Sequence, residues 1–297
     1  MAIAFDWGGF NETITDVVIT NGDATITSAS NPWVESDVGK TIIVNDAGAG
    51  TFLRTYIATF NSAGSVEMGT VCLGGSGSGK AAWWFVGQYK NVDAITSLTW
   101  KHVCTGSNRY LIVPVWGGPP PDGCTYNSVA MTLLDSYRLS DSFASLWGLA
   151  NPASGMNDVV LTYSGAASVF AATSVSYTGV HQSTPTGTAA HAGTGGGGSS
   201  SISVNVSSAV DEVVVDCLAT AYKTYTITAT GTGQVIRSEL FPQTGDFSGS
   251  NGKVDSSSTP GAATTTVSYT LGGTNYGNIC AIPLKPAAGG GDGLMWL

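Results

Sequence analysis

Charge is scarce in this chain. Only 10% of its 297 residues are Asp, Glu, Lys or Arg, against roughly 25% in ordinary soluble domains. Eleven are basic and 20 acidic, a formal net charge of −9. Most of such a surface repels a phosphate backbone, which argues against nucleic acid as a partner. Helical periodicity is missing as well, since no stretch repeats its apolar residues at helical spacing with any strength. Histidine is reduced to His102, His181 and His191, far apart and never at metal-ligand spacing. No run approaches the roughly 18 apolar residues of a membrane span, so membrane insertion is not expected. The start, MAIAFDWGGF, has no basic flank, apolar core or small-residue cleavage site, so an export signal is not expected either.

Cysteine is sparse and scattered. Cys72, Cys104, Cys124, Cys217 and Cys280 are odd in number, so at least one stays unpaired within a single chain. Cys217 in EVVVDCLAT and Cys280 in NICAIPL lie in apolar, strand-like runs, where cysteine behaves as a small hydrophobe. Buried free thiols are the expectation, with a Cys104–Cys124 disulfide as the alternative.

What the chain has in quantity is glycine, 40 residues of it, together with Ser and Thr. Short runs of Val, Ile, Thr and aromatics recur between Gly, Asn, Ser and Asp clusters: DATITS, KTIIVND, TFLRTYIATF, RYLIVPVW, DVVLTYSG, SISVNVSS, EVVVDCLAT, KTYTITATG and TTTVSYTL. In SISVNVSS, Ile202, Val204 and Val206 share one face and Ser203 and Asn205 the other, as in a half-buried strand. Ser136–Leu149 is the least strand-like segment and is also read as strand. The predicted class is all-β: a small N-terminal β domain plus a larger antiparallel, jelly-roll-like β-sandwich.

Composition divides the chain. GGSGSGK at Gly74–Lys80 precedes a boundary placed near residue 90, giving an N-terminal module at 1–90 and a sandwich at 91–286. GTGGGGSSS near residue 196 has similar strands on both sides and reads as a long flexible loop inside one sandwich. AAGGGDG then opens a leash at 287–297 that ends in Leu294, Met295, Trp296 and Leu297. Four apolar residues on a glycine leash imply docking, either into the same subunit or into a neighbour.

Motifs for chemistry are weak. GGSGSGK fits a phosphate-binding loop until its magnesium ligand, which is Ala81, and AAWWFVG after it reads as strand where a helix is required. No G-x-S-x-G elbow is present. Asp135, Asp141, Asp211 and Glu212 are the carboxylates to weigh for glycoside hydrolysis, which needs two acids about 5 to 9.5 Å apart. Asp211 and Glu212 read as the solvated opening of a strand, Asp122 and Asp158 as turn residues. No dense acidic calcium loop occurs, and the Asn11 and Asn205 sequons carry no weight without export. Neither a catalytic residue nor a cofactor is expected. Trp83 and Trp84 are adjacent and face opposite sides of a strand, so one meets solvent, a linker or a partner; an inter-domain contact is the favoured reading. Trp84, Trp116 and Tyr126, if exposed, would stack on sugar rings.

Residues 16–68 resemble a small β module near the start of phage tail-fibre, tailspike and related virion proteins. The resembling pieces are GDATITSAS at Gly22–Ser30, VESDVGKTIIV at Val34–Val44, where Asp37, Gly39 and Lys40 shape a turn and Ile42 and Val44 enter a core, and TYIATF at Thr55–Phe60. Residues from about 95 to 285 look like a second β-sandwich family of phage and environmental bacterial surface proteins. Its pieces run in order through SLTWKHVCTGSNRYLIV, CTYNSVAMTLL, SLWGLANPASGMNDVVLTYSG, SVSYTGVHQSTPTG and EVVVDCLAT. Neither resemblance brings a catalytic motif. Both imply a location on a particle or cell surface. The missing export signal favours a phage protein assembled in the host cytoplasm over a secreted adhesin, and a short chain without a repetitive shaft favours a virion structural protein, a capsid decoration or head-fibre subunit exposed on the particle, with other virion proteins as partners. A homo-oligomer is expected, and trimers are common in ornaments of this kind. The alternatives are a tail-associated protein, a carbohydrate-binding adhesion module that meets a host-surface glycan, and a hydrolase of surface polysaccharide.

Overall fold

The computed structural model describes residues 1–9, 12–49, 52–90, 95–118, 120–139, 143–167, 170–221, 226–240 and 252–288. Within them lie 25 strands and a single 3-10 turn, Glu35–Asp37. No helix among the described residues is long and apolar enough to cross a membrane. The all-β class predicted from sequence is the class observed.

Strand β1 (Ala4–Trp7) stands apart from the strands that follow it. β2 (Glu12–Ile19), β3 (Thr25–Thr27), β4 (Thr41–Asn45), β5 (Phe52–Ser62), β6 (Ser65–Met68) and β7 (Gly77–Phe85) close into a barrel in the order β2-β3-β6-β5-β4-β7. Alternation fills its interior with Val17, Ile19, Ile26, Trp33, Ile42, Val44, Ile57 and Trp84, so the barrel is a packed core. The turn into β4 is built as the sequence implies. Gly39 takes φ +92°, a conformation costly for any residue with a Cβ. Buried Lys40 places Nζ 2.7 Å from buried Asp37.

The strand before the barrel and the strand after it belong elsewhere. β1 and β8 (Gln88–Lys90) join a seven-stranded sheet with β10 (Tyr110–Gly117), β13 (Thr132–Tyr137), β14 (Phe143–Ala150), β16 (Phe170–Ala172) and β17 (Val175–Thr178). The barrel unit proper is therefore 12–85, and the expected 1–90 module includes two strands of the neighbouring sheet. Gly87 makes this junction. It has φ +120°, and a Cβ there would lie 2.1 Å from the Ala172 carbonyl oxygen. Thr41 Oγ1 donates to the Gly87 carbonyl at 2.7 Å, and Thr173 Oγ1 to that of Val86 at 2.9 Å. Gly87→Ala is expected to destabilise the protein by about 2 kcal/mol or more through clash and strained φ, read as a lower midpoint in urea unfolding.

Against one face of the seven-stranded sheet packs a four-stranded sheet of β9 (Ile95–Cys104), β11 (Gly123–Tyr126), β12 (Val129–Ala130) and β15 (Gly155–Ala167). Leu98, Trp100, Leu111, Val113, Trp147 and Leu161 fill the space between them. Asn127 and Ser128, both at positive φ, form the two-residue β11–β12 turn. Asp158, expected in a turn, lies inside β15, 2.9 Å from Lys101 of β9.

A second sandwich follows. β18 (Ala190–Gly193), β20 (Val213–Thr220), β22 (Val235–Leu240), β23 (Lys253–Pro260) and β25 (Gly277–Leu284) form a five-stranded sheet; β19 (Ser199–Ser207), β21 (Thr228–Ala229) and β24 (Thr264–Asn275) form a three-stranded one. Between these sheets lie Ile202, Val204, Val206, Leu218, Val267 and Tyr269. The glycine run near residue 196 is here a short connection from β18 to β19, which carries the chain from one sheet of this sandwich to the other. It is not the long loop that composition implies, because glycines at positive φ, Gly195 and Gly198, allow a tight reversal.

The two sandwiches stack. The five-stranded sheet lies on the outer face of the seven-stranded one, so that Ile112, Trp116, Leu146 and Val175 meet Val215, Cys217, Val254 and Ile282. Ile43 and Phe85 of the barrel enter the same core, and Trp83 packs against it half-buried. The larger β region thus has four layers, with three modules held by one shared core. The cause is visible in β10, β20 and β25: their alternate residues face different cores, and both sets are apolar.

Candidate functional site

A cleft of about 810 Å³ opens at the seam where β1 meets the second sandwich. Phe5 reaches it from β1, which pairs antiparallel with β17 and sets Phe5 opposite Tyr177. Gly8 lets the chain leave β1 closely against β22, since a Cβ there would lie 3.0 Å from the Arg237 carbonyl oxygen. Arg237 of β22 extends its guanidinium over the Phe5 ring, 4.8 Å from the centroid. Its Nε donates to Ser258 Oγ at 2.7 Å. Among the described residues the Arg237 charge has no carboxylate partner, and its terminal nitrogens donate to no protein group. Tyr177 and Thr259 form part of the wall, both almost fully buried, and the Thr259 hydroxyl has no hydrogen-bond partner among the described residues. Asp211 and Glu212 also line the cleft. The N-terminal ammonium donates to the Ala287 carbonyl at 3.2 Å, which brings residue 1 beside the last described segment.

Two carboxyls strongly perturbed by burial lie elsewhere, inside the second sandwich. Asp216 of β20 is fully buried. Its Oδ1 accepts Tyr269 Oη at 2.7 Å and the Ser257 N–H at 3.2 Å, and its Oδ2 accepts Ser257 Oγ. Gln234 Nε2 in turn donates to Ser257 Oγ at 2.8 Å. Burial dominates over these bonds and pushes the Asp216 carboxyl up to about 7. Asp255, also fully buried, is pushed up to about 8 by burial, against the pull of Lys253. Lys253 Nζ lies 2.7 Å from Glu239 and 3.3 Å from Asp255. Beyond this Lys253 contact, no described group bonds the Asp255 oxygens.

His102 is likewise internal. Burial pushes its imidazole down to about 3, and it is neutral. Trp100 Nε1 donates to Ser174 Oγ at 2.9 Å, and the same oxygen lies 2.8 Å from His102 Nδ1. The Ser174 hydroxyl thus links Trp100 and His102, and the pair has no opening for a substrate, since both Ser174 and His102 are fully buried. His181 accepts the Thr184 N–H at 3.0 Å within its own turn. His191 stacks on Tyr137 at 4.2 Å and lies 3.1 Å from Asp135. Among the described residues no cluster of three His, Cys, Asp or Glu side chains could hold a metal. Asp211 and Glu212 both border the cleft, Asp135 lies apart from them beside His191, and Asp141 is outside the described residues.

The aromatics proposed as exposed platforms need correction. Trp84 is 1% exposed and fills the barrel, Trp116 is 5% exposed in the shared core, and Tyr126 is 0% exposed beneath β9 and β15. Strand alternation sends them inward, and the Tyr126 hydroxyl lies 3.0 Å from the Gly155 carbonyl as its donor. Trp83 is half-buried in the inter-module contact that its neighbour's orientation favours. Leu294, Met295, Trp296 and Leu297 lie outside the described residues. All five cysteines are free and buried, so Cys104 and Cys124 are not bonded. Sequence reading missed Asp216, Asp255, Arg237 and Phe5. For Asp216 the signal was present, a carboxylate in the middle of the apolar run VVVDCLA. No protein-family model matches the chain, and no curated protein is significantly similar to it.

Proposed function

We propose that this protein is a structural subunit on the outside of a bacteriophage particle, a capsid decoration or head-fibre subunit assembled in the host cytoplasm. The observation that carries the reading is where the fold spends its polar chemistry. The groups whose ionisation burial shifts most, among them His102, Asp216, Asp255 and the thiols of Cys124, Cys217 and Cys280, all lie inside sheet-to-sheet cores. A catalytic acid or base must reach its substrate, whereas these groups fasten sheets together. Three modules locked on one core make a rigid block with a hydroxyl-rich, charge-poor surface, suited to repeated contact with identical neighbours. The resemblance of residues 16–68 and 95–285 to virion modules supports the same reading, and five unpaired cysteines fit a reducing compartment.

The particle role is tested with an antibody against the chain on intact particles from the host lysate. Gold label on the capsid or tail supports it, and confinement of the chain to the soluble fraction overturns it. The assembly claim is tested by solution mass. The full chain is expected to form a defined homo-oligomer, and a chain ending at Pro286 to be a monomer, because Leu294–Leu297 would clamp neighbouring subunits. Equal masses for the two chains would remove that clamp.

A further inference from the structure

The Arg237 cation and a second groove beside its cleft converge on one ligand chemistry. Gly233, Thr259, Pro260 and Gly261 line both the 810 Å³ cleft and a neighbouring one of about 620 Å³. The second is walled by Thr230, Thr232, Thr264, Thr265, Thr266 and Ser268. A groove that runs from a fixed guanidinium into a row of hydroxyls matches a ligand with a carboxylate at one end and many hydroxyls along its length. We propose that the paired clefts bind a sialylated or uronylated oligosaccharide, its single carboxylate on Arg237 and its neutral sugars along the threonine wall.

Arg237 is suited to this because it is already oriented. The Phe5 ring beneath it and the Ser258 hydrogen bond fix the plane of the guanidinium, and two terminal nitrogens remain to grip a carboxylate in a fork. Electrostatics limits the ligand's charge. The chain carries −9, and Asp211 and Glu212 border the cleft, so a polyanion is repelled where a single carboxylate is held. The inference stands apart from the particle role, and neither depends on the other.

The test is a titration of the full chain with 3′-sialyllactose, followed by ligand-observed NMR, with lactose as the neutral control. A second titration uses a chain ending at Ala288, so that occupation of the cleft by residues 289–297 is distinguished from a missing site. Binding of sialyllactose but not lactose is expected, weakened about tenfold or more in Arg237→Gln by loss of the charged hydrogen bonds. Asp211→Asn, on the exposed rim, is expected to tighten it. Should Arg237→Gln fail to fold, raising salt on the native chain must weaken binding. No binding to either chain overturns the proposal, as does equal binding of lactose or an affinity that ignores both Arg237 and salt.

Discussion

Raising the pH from 6.5 to 8 should lower the stability of this protein, mainly through Asp255, and Asp216→Asn should remove the part of that loss that falls below about pH 7. Asp216 holds its proton in the folded state up to about 7, whereas the ordinary carboxyl loses it near 3.8. Between those values the unfolded chain gains by ionising and the folded chain does not. The contribution of Asp216 is therefore fully present below 3.8 and is lost as pH rises to about 7. A displacement of that size is worth on the order of 4 kcal/mol. Asp255 acts in the same sense up to about 8. His102 works in the opposite direction: its folded value, about 3, lies below the ordinary 6.5, so its contribution is present above 6.5 and lost as pH falls. Below 6.5 His102 offsets one of the two carboxyls; above it nothing does. Urea midpoints at pH 5, 6.5 and 8 should decline, most clearly over the upper interval. Asn at 216 can still accept from Tyr269 and engage Ser257, so Asp216→Asn should fold and show a flatter profile between pH 4 and 7. Asp216→Ala instead strands the Tyr269 and Ser257 hydroxyls, at about 1–3 kcal/mol for each unsatisfied group. A profile in Asp216→Asn with the native slope would show that the carboxyl is not the titrating group.

The same region shows where sequence reading reaches its limit. SISVNVSS announces its two faces by strict alternation, and Ile202, Val204 and Val206 are buried as that pattern requires. RYLIVPVW, EVVVDCLAT and NICAIPL were legible as strands, but their continuous apolar character carries a second message, burial on both faces, which is the signature of stacked sheets. The strand KVDSSST gives no such signal. It is a buried strand made of Lys, Asp, Ser and Thr, paired on both sides, and its polar groups are satisfied largely by partners distant in sequence, such as Asp216 for Ser257. Hydropathy patterns register transfer to an apolar environment and are silent about a polar network that tertiary contacts complete. The cleft is illegible for a related reason. Phe5, Tyr177, Arg237 and Ser258 come from four strands, and each is locally an ordinary strand residue.

Trp116 offers the second large effect, and it separates packing from ligand stacking. Its indole is 5% exposed and lies in the core shared by the barrel and both sandwiches. A Cβ on Gly252 would lie 1.9 Å from the ring, so the backbone at Gly252 rests directly on the indole. Trp116→Ala should cost about 3–5 kcal/mol, the range for emptying a buried aromatic site, seen as a lowered urea midpoint. Gly252→Ala should cost about 1–3 kcal/mol by overpacking the same contact. Combined, the two should cost less than their sum, because removal of the ring makes room for the new methyl, and the double-mutant cycle measures that coupling directly. Trp83→Ala, half-buried at the edge of this core, should cost less than Trp116→Ala. Were Trp116 a sugar platform instead, its removal would leave the midpoint nearly unchanged and abolish glycan binding. Burial between β10 and Gly252 requires the reverse: a large loss of stability, additivity broken with Gly252, and sialyllactose binding retained wherever the variant remains folded.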